Sequence, residues 1–459
     1  MTRANGETLR LALFIQPAGH HQAAWRHPRA QPDAGVNLDH YIELARTAER
    51  ACFDAIFLAD NQCVRPGAPE TVGRVSQYVA NFEPLTLIGA LAVSTRRIGF
   101  ISTASTSFNY PYQLARKLAS LDHLTGGRMG WNIVTSGMPA EALNFGLTEH
   151  LEHELRYERA EEFLEVCKGL WDSWADDAFP RDPTSGQFAR TDLMHTLDHQ
   201  GVHFRVRGPL NVPRSPQGYP VLVQAGASPT GTAFAARHAE MVFVTPQSLP
   251  EAQEGYARIK EIAAQAGRDP RHVNVMPGLV VIVGRTTAEA DEEFERLQSL
   301  LHIDVALNIL SMKMSHVDLS PYPLDEPLPM SAAPTDDSGG SREYFATWAR
   351  IGLEENLTLR QLARRASGSM GGLAFRGSAD EVAEMMGEWF RSGAADGFNL
   401  QPAYLPGQFD DFVELVVPKL QAQALMRTRY EGSTLRDHFG LPRPAWQAHY
   451  GGAVNAGVS

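Results

Sequence analysis

Along this chain, short apolar runs alternate with longer stretches in which apolar residues return every three or four positions, which is the rhythm of repeated strand–helix units. The runs fall at 9–15, 53–58, 98–101, 128–134, 221–225, 241–244, within 273–283, and at 397–401. Between them, Leu38, Tyr41, Ile42, Ala45 and Ala48 mark a first helix, with Asn37 as its cap and Val36 set to staple onto Tyr41. Pro84 suits the first turn of a second helix, Leu114, Leu118 and Leu121 mark a third, and Phe163, Leu164, Cys167, Leu170 and Trp171 lie on one face of a long helix over 153–174. Ser228 followed by Pro229 specifies another helix start. Eight such units predict a closed (β/α)8 barrel, a TIM barrel, better than an open sheet, and the length suits a single barrel domain over 1–459 that carries insertions.

Several runs end in polar residues where a parallel strand would deliver them to the rim, the usual seat of binding groups. The clearest case is 98–136, which reads as strand, helix, strand, with Thr103 and Thr106 after one strand and Asn132 near the end of the other. Strand one releases into a loop with His20 and His21, and strand two ends at Asp60. His153 and Tyr157 are four apart and share a helical face, and the turn at Ser228 is a ready anion site. Two long segments are expected to lie over the C-terminal rim. One, 137–219, follows strand four. The other, 302–378, carries Pro321, Pro323, Pro327, Pro329 and Pro334 with Gly/Ser patches at 338–340 and 368–372, and reads as a mobile loop or a proline-braced cover between strands seven and eight.

Composition removes whole classes of function. With 41 Lys and Arg against 53 Asp and Glu, the formal charge is −12 and no long single-sign run exists, which argues against nucleic acid or an anionic membrane as partner. No window approaches the ~18 apolar residues of a membrane span, and the scattered Cys52, Cys63 and Cys167 suit a reducing compartment, so the cytoplasm is expected. Nothing beside Cys63 but Arg65 would lower its pKa, which predicts an inert thiol. His195, His199 and His203 recur every four positions, but Gly201 and the apolar alternation after it predict turn and strand, so no metal site is expected. GxGxxG, Walker, HExxH and GxSxG motifs are all missing, and nicotinamide, nucleotide, zincin and serine-hydrolase readings lack their anchor.

The quoted rim residues lie in longer stretches, HHQAAWRHP from His20, FDAIFLAD ending at Asp60, ASLDHLTGGRMGWNIVTS from Ala119, HLEHELRYERAEEFLE from His150 and RGPLNVPRSPQGYPVLVQAGASPTG from Arg207. These resemble the bacterial-luciferase-like flavin monooxygenases over nearly the whole chain. The similarity is to the branch holding nitrilotriacetate monooxygenase component A, EDTA monooxygenase and dibenzothiophene sulfone monooxygenase. The resemblance implies FMN as cofactor, used as FMNH2 from a separate NAD(P)H:flavin reductase, with O2 and a small heteroatom-containing organic substrate, in a homo-oligomer (dimer or tetramer). It implies Asp60, Thr103 or Thr106, Asn132, His153, Tyr157 and Ser228 as FMN contacts, with Tyr157 and Ser228 toward the phosphate. It also implies His20 as the catalytic histidine and His316 as substrate-binding. A deazaflavin-dependent oxidoreductase on the same barrel, or a non-catalytic flavin-binding protein, are the alternatives.

Overall fold

The computed structural model describes residues 7–226, 228–333, 341–368 and 373–447. Nine strands form one parallel sheet, β1 (Arg10–Ile15), β2 (Ala55–Leu58), β3 (Gly99–Ser105), β4 (Met129–Val134), β5 (Val221–Gln224), β6 (Met241–Val244), β7 (Asn274–Gly284), β8 (Leu373–Ser378) and β9 (Gly397–Pro402). Their order is β8-β7-β9-β1-β2-β3-β4-β5-β6, and β6 pairs back onto β7, Met241 opposite Asn274, so that eight strands close into the expected barrel. Along the strands, Ala12, Phe14, Ala55, Phe57, Ile101, Val221, Val223, Met241 and Met276 point inward as one apolar cluster, while the intervening residues face the helices.

The helices are α1 (Leu38–Arg50), α2 (Pro84–Leu91), α3 (Pro111–Thr125), α4 (His153–Trp171), α5 (Pro229–His238), α6 (Leu249–Gln265), α7 (Thr287–Leu300), α8 (Ile303–Lys313), α9 (Ser341–Glu354), α10 (Leu359–Gly368), α11 (Ala379–Arg391), α12 (Gly407–Leu415), α13 (Val417–Ala422) and α14 (Leu435–Phe439). The Asn37 side chain accepts the His40 N–H at 3.2 Å, as the cap requires. The staple does not form, because Val36 is left 54% exposed and Tyr41 packs instead toward Phe82. At the N-terminal end of the barrel, Leu435 of α14 fills the space beside Gly99, where a side chain would collide with it, and lies 3.2 Å from where a side-chain carbon on Gly130 would be.

The segment 137–219 is not one loop over the mouth. Its helix α4 joins the outer ring between α3 and α5, and 19 residues of helix carry the chain about 28 Å, back to the end of the barrel where the strands begin. The proline strap that follows therefore lies beneath the barrel. There Gln217 donates to the Met129 carbonyl at the start of β4, at 2.7 Å, and Arg436 of α14 donates to the Gln217 carbonyl at 3.0 Å. Within this strap His199–Gln200 and Arg205–Val206 pair as a hairpin, with His199 against Glu162 at 3.0 Å and His203 against Glu158 at 3.1 Å.

The second segment carries three helices, α8, α9 and α10. Leu301, Val305, Leu310, Phe345, Leu359, Leu362 and Ala366 build a separate apolar core, joined by Ala23 from the loop after β1. Its last residues are the strand β8, which extends the sheet beyond the ring by pairing with the second half of β7, Leu373 opposite Leu279. The proline and glycine signals hid that strand and helix α10, whose apolar residues do keep a three-and-four spacing. Pro334 and the patches at 338–340 and 369–372 lie outside the described residues. Among those described, no helix is long and apolar enough to cross a membrane.

Candidate active site

At the C-terminal mouth, three phenylalanines from alternate positions of β1, β2 and β6 converge. Phe14 lies 4.9 Å from Phe57 and 6.1 Å from Phe243, centroid to centroid, and the His20 ring stands edge-on to Phe14 at 4.8 Å. His20 reaches this spot because its backbone N–H is held by the Pro402 carbonyl at 3.0 Å, at the end of β9. Both of its ring nitrogens are shielded from water and make no well-formed hydrogen bond, although the Pro402 carbonyl lies near the ring. Burial pulls its pKa down to about 3, despite a raising influence from the Pro402 backbone, so the imidazole is neutral at ordinary pH. His21 is also buried and held neutral, with a pKa near 4 for the same reason, but its Nδ1 already accepts the Ala23 N–H at 3.1 Å.

Beside this floor, Asn132 of β4 donates from Nδ2 to the Thr103 hydroxyl of β3 at 2.9 Å, and its own Oδ1 is buried without a donor. The two are register partners on adjacent strands, which is why both enter the mouth. Thr106 turns the other way and donates to the Val134 carbonyl at 3.3 Å. Asp60, past the end of β2, has a pKa raised to about 6, first by burial and then by the nearby Glu83 carboxylate. Cys63, further along that loop, has its thiol pushed up by burial, which keeps it unreactive.

At the end of β5, next to β4, lies a second constellation. Ser228 caps α5 by accepting the Gly231 N–H at 3.0 Å, and His153 Nε2 sits 3.2 Å from the same hydroxyl. The Tyr157 ring packs on His153 at 5.0 Å, and its hydroxyl accepts from Gln224 Nε2 at 3.5 Å. Gly226 and Gly231 let the backbone and the Tyr157 hydroxyl approach closely at the center of this constellation. A side-chain carbon on Gly231 would come within 2.6 Å of the Tyr157 hydroxyl and 3.1 Å of the Gly226 Cα. Two hydroxyls, an imidazole and a helix N-terminus gathered around two glycines suit a phosphate group. The Gln224 Oε1, buried without a donor at its edge, is a further group that a ligand could satisfy.

The structure thus brings His20 to the β1 side of the mouth and His153, Tyr157 and Ser228 to the β5 side, with Thr103 and Asn132 on β3 and β4 between them, Asn132 opposite Val223 of β5. His316 stands apart, exposed at the end of α8 in a left-handed conformation with φ +64°. Sequence reasoning missed the three phenylalanines, Gln224, and Gln16, which donates to the Tyr78 hydroxyl at 2.8 Å. Phe14, Phe57 and Phe243 were readable only as strand residues, although their period-two positions on three strands were a usable signal. Among the described residues, no group of three or more His, Cys, Asp or Glu side chains is arranged to hold a metal ion.

Neutral burial of His20 has a pH consequence. In the unfolded chain its pKa returns to about 6.5, so acid favors unfolding. The stability present above about pH 6.5 is lost as pH falls toward 3, and at pH 5 the loss is about 2 kcal/mol. Asp60, with its raised pKa, acts oppositely between about pH 4 and 6, so slopes are compared and not absolute values. Urea unfolding at pH 7 and pH 5 should show His20→Asn losing about 2 kcal/mol less than the parent on acidification. Equal losses would contradict a buried neutral imidazole.

A closed parallel barrel with ligand-seeking groups at its C-terminal mouth is the architecture of a (β/α)8 enzyme. Residues 18–396 match the family described as luciferase-like monooxygenase. The chain is 46% identical over 436 residues to N-acetyl-S-(2-succino)cysteine monooxygenase of Bacillus subtilis (strain 168), covering 95% of this chain and 97% of that protein. It is 44% identical over 442 residues to nitrilotriacetate monooxygenase component A of Aminobacter aminovorans, covering 95% and 97%. The solved structure of DmoA from Hyphomicrobium sulfonivorans superposes with a TM-score of 0.83 at 32% identity, over 94% of this chain and 92% of that one. The chain belongs to the luciferase-like monooxygenase family and is a monooxygenase.

Proposed function

We propose that this protein is the oxygenating component of a two-component system, using FMNH2 and O2 to oxygenate a small heteroatom-containing organic compound. The observation that carries the reading is the pairing of the glycine-lined cradle at the end of β5 with the His20 and phenylalanine floor. In a ring of eight strands, β1 and β5 are four apart, so His20 and Phe14 lie across the mouth from the cradle, while Phe243 of β6 stands beside it. A cofactor with its phosphate in the cradle would extend its flat ring toward that floor. His153, Tyr157 and Ser228 would hold the phosphate, while Thr103 and Asn132 meet the polar edge of the ring. Asp60 stands beside them as a carboxyl that is half protonated near pH 6.

Reduced FMN, when bound, supplies the electrons that activate oxygen. The chain's own contribution is to exclude water with Phe14, Phe57 and Phe243, to orient the ring, and to offer the neutral His20 imidazole as a proton acceptor or hydrogen-bond donor at the reacting center. The helices α8, α9 and α10 would serve the same reading as a cover, since their core includes Ala23 of the histidine loop. His316, which belongs to that cover, is assigned to the substrate on resemblance alone.

Anaerobic titration with reduced FMN, followed by rapid mixing with air, tests the assignment. Saturable FMNH2 binding and a transient absorbance distinct from oxidized flavin are expected. Absence of FMN binding would favor a deazaflavin cofactor, and binding with immediate release of hydrogen peroxide would favor a flavin carrier.

Since the chain has no nicotinamide-binding fingerprint, a separate NAD(P)H:flavin reductase would supply FMNH2. Purified alone with NADH, the protein should form no product, and adding an unrelated flavin reductase should restore turnover. NADH consumption by the isolated protein that matches product would overturn this. A cytoplasmic homo-oligomer, dimer or tetramer, completes the proposal.

A further inference from the structure

The inward face of β7 does not stop at the barrel mouth. Gly278 lies under Phe243, whose ring would be 2.8 Å from a side-chain carbon there. Val280 and Ile282 follow on the same face, each about 7 Å beyond the last. They line a cavity of about 680 Å³, walled on its other sides by Phe294 and Gln298 of α7, Arg364 of α10 and Arg376 of β8. Ile282 also packs in one cluster with Ala18 and Ala24, which flank His20, so this cavity backs onto the histidine loop.

The lining is amphipathic in a specific way. Of its three guanidinium groups, Arg376 is paired with Asp291 at 2.8 Å and lies over the Phe294 ring, and Arg365 is paired with Glu355 at 3.5 Å. Arg364 has no ion-pair partner among the described residues, and the remaining carboxylate of the lining, Glu295, is exposed and lies outside ion-pair range of it. Gln298 is 7% exposed, and its Oε1 has no donor. An unpaired guanidinium asks for an anion, preferably a carboxylate that can meet two of its N–H groups. The strip formed by Val280, Ile282 and Phe294 asks for an apolar body, and buried polar atoms without partners mark a place for ligand contacts.

We propose that this cavity is an entry compartment that selects organic anions, holding a carboxylate at Arg364 and the apolar part of the molecule along Val280, Ile282 and Phe294. The inference rests on the reading of the adjoining mouth as the oxygenation site, and it narrows that site's substrates to carboxylates with an apolar portion.

Phenylsuccinate and its dimethyl ester, which share a body and differ in charge, are suitable probes for calorimetric titration into the flavin-free full-length protein. The diacid should bind at least tenfold more tightly than the diester. Arg364→Gln should abolish that preference without altering diester affinity or reduced-FMN binding, and Arg364→Lys should retain part of it, since the positive charge is kept. As Arg364 is exposed on a helix surface, neither variant should impair folding. Failure of the diacid to bind, equal binding of acid and ester, or an unchanged preference in Arg364→Gln would each overturn the proposal. If the parent discriminates by charge but binds no FMNH2, the anion compartment stands and the oxygenation reading falls.

Discussion

Replacing His20 by Asn should lower product formation at least tenfold, with hydrogen peroxide release rising in proportion, while reduced-FMN affinity and the melting temperature at pH 7.5 stay close to the parent's. The His20 ring meets Phe14 edge-on and leaves both nitrogens without a well-formed hydrogen bond in the folded chain. An unsatisfied buried polar group costs roughly 1–3 kcal/mol, so a protein that retains one has a use for it once ligands arrive. With its pKa near 3, the imidazole does not arrive at the reaction as a cation. It can donate a hydrogen bond through one nitrogen, and once a bound ligand raises its pKa toward the operating pH it can accept a proton through the other; positioned proton transfer of this kind contributes ~10²–10⁴-fold in rate. Asparagine keeps one donor and one acceptor but cannot exchange a proton near neutrality. Coupled turnover at the parent rate would remove His20 from the chemistry. His21 would be a poor replacement, since its Nδ1 is engaged by the Ala23 N–H.

The second large effect is expected at the cradle. The double variant Tyr157→Phe, Ser228→Ala should bind reduced FMN roughly a hundredfold more weakly or worse, because hydrogen bonds to a charged group are worth about 1.5–3 kcal/mol each. Both hydroxyls adjoin Gly231, and His153 approaches the Ser228 hydroxyl at 3.2 Å. Ser228 is also the cap of α5, so its loss costs about 1 kcal/mol of helix stability by itself. Two controls separate these roles. Affinity for reduced riboflavin, which lacks the phosphate, should be nearly unchanged in the double variant. Ser228→Asp, which can still cap the helix, should keep the parent's stability yet repel the phosphate. A double variant that binds reduced FMN as the parent does would end the phosphate assignment.

Much of this site was legible because its signals are local. The capping of α5 by Ser228, the shared face of His153 and Tyr157 on α4, and the register-matched Thr103 and Asn132 each follow from spacing within a few residues or from two adjacent strands. Other features were misjudged because they depend on how the chain closes. The strap before β5 was expected over the mouth, yet a ring helix must return the chain to the starting end of the strands, and the strap lies there, against Met129 and Arg436.

What the sequence by itself determined is the set of strands that make the ring, the helix starts between them, and the polar groups at strand ends, since periodicity and capping act over one or two turns of chain. Only the tertiary structure decided that Phe14, Phe57 and Phe243 form one floor, that His20 is stripped of water and held neutral, that β8 extends the sheet beside β7, and that Arg364 is left unpaired beside a cavity. Each of these depends on groups distant in sequence meeting in space, and both burial and pairing are properties of such neighbors.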